Sequence, residues 1–168
     1  QQGMMFHSLY DNGSGAYVIQ MASTIAEPFH PEAFRRAWQR TLDRHPSLRT
    51  VFLSEGGTEA LQVVLGHVTL PWYELDWRDQ GYDQPSSTER IAEFLRADRV
   101  RGFVLDEPPL MRCTLIRLDE QTWQFVWSHH HLLTDGWCLP ILMREVLHWY
   151  SAFLNQQETS LPSPRPYR

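Results

Sequence analysis

Lysine is absent from this 168-residue chain, and all 15 basic side chains are arginine. Without lysine there is no Schiff base to pyridoxal phosphate or to a carbonyl substrate. Nor is there a phosphate-loop lysine of the GxxxxGKS or GxxxxGKT type. A net charge of −5 with no basic cluster argues against nucleic acid. Cysteine is scarce: Cys113 and Cys138 are too few for a disulfide framework or a CxxC metal site. A reduced, cytoplasmic setting is therefore expected. No apolar run approaches the ~20 residues that cross a bilayer. The opening "QQGMMFHSLY" has neither a charged n-region nor a cleavage site. It does not begin with Met, so the chain is expected to be a fragment.

What is present reads as alternating helices and strands. "QQGMMFHSLYDNGSG" reads as a short apolar helix entering a loop at Asn12-Gly13. "AYVIQMASTIA" is rich in β-formers. Pro31 opens a helix, with Phe34, Ala37, Trp38, Thr41 and Leu42 on one apolar face. That helix ends at His45, because Pro46 disfavours the helical conformation before it. "LRTVFL" and "EALQVVL" flank "SEGGT" as a hairpin, and "LPWYELDW" is a further strand. Ser86 and Glu89 form a capping box ahead of a helix that turns Ile91, Phe94 and Leu95 inward. "PLMRCTLIRL" and "QTWQFVWS" pair around Asp119-Glu120. "LPILMREVLHWYSAFL" is a helix buried through Leu142, Val146, Trp149, Tyr150 and Phe153. The tail "PSPRPYR" reads as a linker. An α+β layer, helices packed on a largely antiparallel or mixed sheet, fits this order.

The stretch "SHHHLLTDGWC", residues 128 to 138, carries the chemistry. If Leu118 pairs with Thr122, Arg112 lies opposite Ser128, at the mouth of the loop holding His129 to Asp135. Its same-parity neighbours are mostly apolar, so Arg112 is expected to be part buried and to need a carboxylate. Asp135, in that loop, is the nearest candidate. A braced loop leaves a neutral histidine free to act as base or hydrogen-bond partner. Gly136 permits a backbone conformation that a side chain forbids, and close approach of a substrate. A metal site is the competing reading of three histidines. His129 and His131 share a strand face while His130 does not, and HExxH or a second Cys/His cluster is missing.

"HHLLTDG", His130 to Gly136, resembles the HHxxxDG motif of condensation domains of nonribosomal peptide synthetases. "RHPSLRTVF", Arg44 to Phe52, resembles the family's RHxxLRTxF segment, and "QQGMMFHSL" the end of its first motif. "PPLMRCTLIRL" resembles the segment before the active-site hairpin, which holds an Arg that pairs with the motif Asp. The resemblance implies a chloramphenicol-acetyltransferase-like lobe. It implies His131 as the catalytic histidine, supported by His130, Asp135 and Arg112, with Gly136 where amine and thioester meet. The reaction implied is peptide-bond formation between donor and acceptor thioesters, carried on the phosphopantetheine of carrier proteins; no cofactor is bound directly. His129, Trp137 and Cys138 read as packing residues, and Arg44 and Arg49 as holding the fold. Met4, Met5 and Phe6 are candidates for the tunnel lining or, equally, for the core.

Heterocyclization domains replace both motif histidines by aspartate, and epimerization domains resemble "DGVSWRIL" where this chain has "DGWCLPIL". The pairing of "QQGMMFHSL" with "DGW" looks most like the class that accepts a D-configured donor. The length matches one lobe of the two the resemblance implies. Residues 1–161 are expected to form the N-terminal lobe, and 162–168 to start the linker to a C-terminal lobe. Expected partners are donor and acceptor peptidyl carrier proteins, that second lobe and a neighbouring adenylation domain. No nucleic acid or membrane is expected, and self-association of the uncovered lobe is. The alternatives are an isolated, non-catalytic lobe that serves as a binding module, and a related epimerization domain.

Overall fold

Strands in the middle of a sheet are covered on both faces, and here the two central strands are the most buried. In a computed structural model that describes residues 15–55, 59–78 and 86–164, β1 is Val18–Ala26, β4 Trp72–Asp76, β5 Met111–Arg117 and β6 Thr122–His130. The sheet order is β1-β6-β5-β4. β6 runs antiparallel to both β1 and β5, whereas β4 is parallel to β5. The sheet is thus mixed. Central β5 and β6 are buried almost throughout, and edge strand β4 is largely exposed.

The chain divides into two compact units. The first comprises residues 1–29, 71–104 and 111–132, and the second residues 30–70, 105–110 and 133–168. The first unit holds this sheet and a helix, Ser87–Arg101, numbered α2 because α1 precedes it in the chain. The second holds α1, Pro31–Arg44, the hairpin of β2, Thr50–Glu55, with β3, Glu59–Val64, and α3, Cys138–Leu154.

Local sequence explains the boundaries. α1 starts at Pro31, whose fixed φ suits a first turn, and stops at His45 before Pro46. Its buried residues are Phe34, Ala37, Trp38, Thr41 and Leu42, the face read from spacing. α2 is capped by Ser86 and Glu89, each satisfying the other's backbone N–H. Its apolar residues Ile91, Phe94 and Leu95 are half-buried, and the residue it buries is Asp98. In α3, Leu142, Val146 and Trp149 are buried as expected, while Tyr150 and Phe153 are half-buried and Glu145 and Ala152 complete the inner face. Gly15 sits at φ +63°, where a Cβ would strike the Arg99 carbonyl. The helix expected over the first residues, with Met4, Met5 and Phe6, lies outside the described residues. So do the loop at 79–85 and the last four residues of the tail.

Candidate active site

The β5–β6 hairpin places the first half of the site. Its register pairs Arg112 with Ser128, as the turn at Asp119-Glu120 predicts. Arg112 is 5% exposed, so its charge needs a partner. That partner is Asp98 of α2, not Asp135, which corrects the brace expected from sequence. Arg112 Nε donates to Asp98 Oδ1 at 2.5 Å, and its other nitrogens to the Asp98 and Gly102 carbonyls at 2.6 and 2.7 Å. Its guanidinium also stacks on Phe103 at 4.3 Å. The second oxygen of Asp98 accepts from Ser128 Oγ at 2.5 Å and Gln20 Nε2 at 2.8 Å. Burial opposes ionisation of Asp98, but the bonds from Arg112, Ser128 and Gln20 hold its carboxyl below the usual range. Asp98 thus ties α2 to β1, β5 and β6, and it meets β6 at Ser128, two residues before His130. The available signal was its spacing, four residues after Phe94 and seven after Ile91 on the inward face.

β6 ends in two buried histidines, each 4% exposed. His129 stacks on Trp127 with ring centres 4.1 Å apart, which fits the packing role read for it. His130 Nδ1 accepts the Leu132 backbone N–H at 3.2 Å. The proton of a neutral His130 therefore sits on Nε2. Burial, aided by the neighbouring histidines, lowers the pKa of His129 to about 3 and of His130 to about 4. His131 stands in the turn beyond the strand, half-buried, its backbone N–H donating to the Tyr17 carbonyl at 2.8 Å.

These depressed values set a pH dependence. The unfolded histidines bind protons below about 6.5, while the folded ones do so only near 3 to 4. Stability is thus full above pH 6.5 and falls with pH below it. Between pH 7.5 and 5.5 the loss should be about 2–3 kcal/mol for the two histidines together. Carboxylates titrate lower, so they leave this window clear. Urea midpoints at the two pH values measure it; equal midpoints would show both rings solvated.

The second unit carries Asp135 and Gly136. Asp135 Oδ1 accepts the backbone N–H groups of Trp137 and Cys138 at 3.0 and 3.2 Å, and the Cys138 thiol at 3.1 Å. It acts there as the anchor of the turn into α3. Burial, more than this carboxylate, raises the Cys138 pKa. Gly136 corrects a second expectation. A Cβ there meets nothing within 4 Å, and its φ is not in the left-handed region. The local fold does not require glycine at this position. Gly136→Ala should change stability by no more than about 0.5 kcal/mol; a melt shifted well beyond that would restore a conformational role. Trp137 is a third correction: it is 83% exposed and does not pack.

Behind this turn, Thr134, Cys138, Ile141 and Leu142 line a cavity of about 700 Å³ that reaches Arg44 and Glu145. Glu145, 6% exposed, accepts Arg44 Nε at 3.0 Å and lies 2.7 Å from His45 Nε2. Arg44 also binds the Leu161 and Pro162 carbonyls, and Arg49 those of Leu65 and Gly66. Both arginines hold the fold, as expected.

A family model for the condensation domain matches residues 1–168. The chain belongs to the condensation-domain family. Among curated relatives, it is 45% identical over 167 residues to a linear gramicidin synthase of Brevibacillus parabrevis, covering 99% of this chain and 3% of that protein. It is 40% identical over 168 residues to a mycosubtilin synthase of Bacillus subtilis, covering 100% of this chain and 6% of that one. The chain thus spans a small fraction of the length of the synthases it matches. Among solved structures, the starter condensation domain of rhizomide synthetase RzmA aligns with TM-score 0.78 at 21% identity, over 95% of this chain and 39% of that one. SgcC5 from Streptomyces globisporus aligns with TM-score 0.74 at 26% identity, over 98% and 38%. The fold is that of part of a condensation domain, and the α+β, chloramphenicol-acetyltransferase-like reading stands. Among the described residues, no helix of this condensation-domain segment is long and apolar enough to cross a membrane.

Proposed function

We propose that residues 1–161 are the N-terminal lobe of a condensation domain in a cytoplasmic nonribosomal peptide synthetase, with 162–168 leading toward a second lobe. The full domain joins a donor (amino)acyl or peptidyl thioester to an acceptor aminoacyl thioester. Both are held on phosphopantetheine arms of carrier proteins, beside an adenylation domain. The acceptor amine nitrogen attacks the donor thioester carbon. The new C–N bond forms, the C–S bond breaks, and the amine proton ends on the departing thiol. His131 is the catalytic histidine, positioning or deprotonating the amine. His130, neutral and fixed by the Leu132 N–H, supports the turn that presents it. Asp135 anchors the start of α3, Gly136 leaves room for the reacting groups, and Arg112 stiffens the hairpin through Asp98.

The observation that carries this reading is the intact His130–Gly136 motif at the end of β6, in a chain matched throughout by the condensation-domain family. The test uses the parent synthetase with loaded donor and acceptor carrier proteins, read by intact-protein mass spectrometry. The parent should add the donor acyl mass to the acceptor, with a D-configured donor preferred over its L epimer. The 168-residue chain alone should add none. No product from the parent would sink the reading, and epimerised donor without transfer would favour an epimerization domain. Turnover by the chain alone would overturn the need for a second lobe.

A further inference from the structure

We propose that a groove along α1 and the end of α3 is a docking site for an acidic peptide segment. Arg36 and Arg40 stand one turn apart on α1, about 6 Å along its axis. Arg36 lies over the Phe153 ring at 4.3 Å, and Arg40 over the Trp149 ring at 5.4 Å. Stacking occupies the faces of the guanidinium groups and leaves their N–H edges open, the geometry that accepts a carboxylate in a fork.

Among the described residues neither arginine makes a hydrogen bond or an ion pair, though nearby carboxylates exist. Glu32 bonds to Arg35 at 2.7 Å and reaches Arg36 only through its field, without a bond. Asp43 is held by Gln39 at 2.9 Å and lies 3.5 Å from His67. Glu158 lines the same groove without pairing to either cation. A third donor is orphaned nearby: Trp149 is 4% exposed, and its indole N–H is buried without an acceptor. Two adjoining concavities, about 620 and 310 Å³, share Arg40 and Trp149 and make the groove continuous. Unused donors on an aromatic floor call for an acceptor of negative charge. Two cations one turn apart match two carboxylates one turn apart on a helix, or two residues apart on an extended chain. The groove lies about 16 Å along α3 from Cys138 and is independent of the proposed reaction.

The test is titration of the 168-residue chain with two synthetic 15-residue helical peptides. One has glutamate pairs four residues apart, and the other has glutamine at those positions. Binding is followed by fluorescence anisotropy and by the Trp149 indole N–H resonance. The glutamate peptide should bind at least about tenfold tighter than the glutamine peptide and weaken as salt rises. R36E/R40E should lose about tenfold or more in affinity while its melt still shows a folded chain, as both side chains are exposed and only their ring stacking is lost. Equal binding by the two peptides, or by wild type and R36E/R40E, would overturn the proposal. Inorganic phosphate moving the Trp149 resonance where the glutamate peptide does not would overturn it in favour of a phosphate site.

Discussion

Replacing Asp98 by alanine should destabilise the chain by about 3–5 kcal/mol. The change removes the carboxylate that accepts Arg112, Ser128 and Gln20 and leaves a guanidinium 5% exposed with only two carbonyls. An uncompensated buried charge is the costly outcome, far more so than loss of the pair as a whole. A domain of this size has only about 5–15 kcal/mol in total. The variant should therefore be largely unfolded at 37 °C or melt at a much lower temperature. Asp98→Leu combined with Arg112→Met should recover most of the loss, because two packed apolar side chains replace the pair without a stranded charge. Urea unfolding of the single and double variants separates these cases. A single-variant loss below about 1 kcal/mol would mean that water reaches Arg112, as it does at surface pairs.

The Asp98 network also shows where sequence reasoning stops. Secondary structure was legible because each segment had a local cause: Pro31 and Pro46 bound α1, Ser86 and Glu89 cap α2, and the turn at Asp119-Glu120 sets a register that pairs Arg112 with Ser128. That a buried Arg112 demands a carboxylate was legible as well. Which carboxylate was not. Asp135 was nearer in sequence to the end of β6, but α2 brings Asp98 against the guanidinium, a long-range choice that no local pattern encodes. Gly136 and Trp137 were misread for a related reason. Their environment is open, and a motif does not say which of its residues face solvent. The histidines were legible as a group through HHLLTDG, while the Nδ1 acceptor role of His130 depends on the turn that brings the Leu132 N–H back to it.

His131→Ala in the parent synthetase should lower the rate of peptide-bond formation by about 10²–10⁴, the usual contribution of a positioned acid or base. Its effect on stability should be small. His131 is half-buried, lies beyond the last strand residue, and holds Tyr17 through its backbone N–H, which alanine retains. The two variants therefore divide the site. Asp98→Ala damages folding, and with it every activity, while His131→Ala leaves the melt near wild type and removes the chemistry. His130→Ala should fall between, because it strips the acceptor from a buried backbone N–H.

The most direct measurement is the mass of the acceptor carrier protein after one round with the His131→Ala parent, beside wild type at equal carrier loading. Wild type should convert the acceptor to the condensed thioester, while the variant, folded by its melt, should leave it carrying only its own aminoacyl group. Condensed product formed by His131→Ala at the wild-type rate would contradict the assignment of the reaction to this histidine.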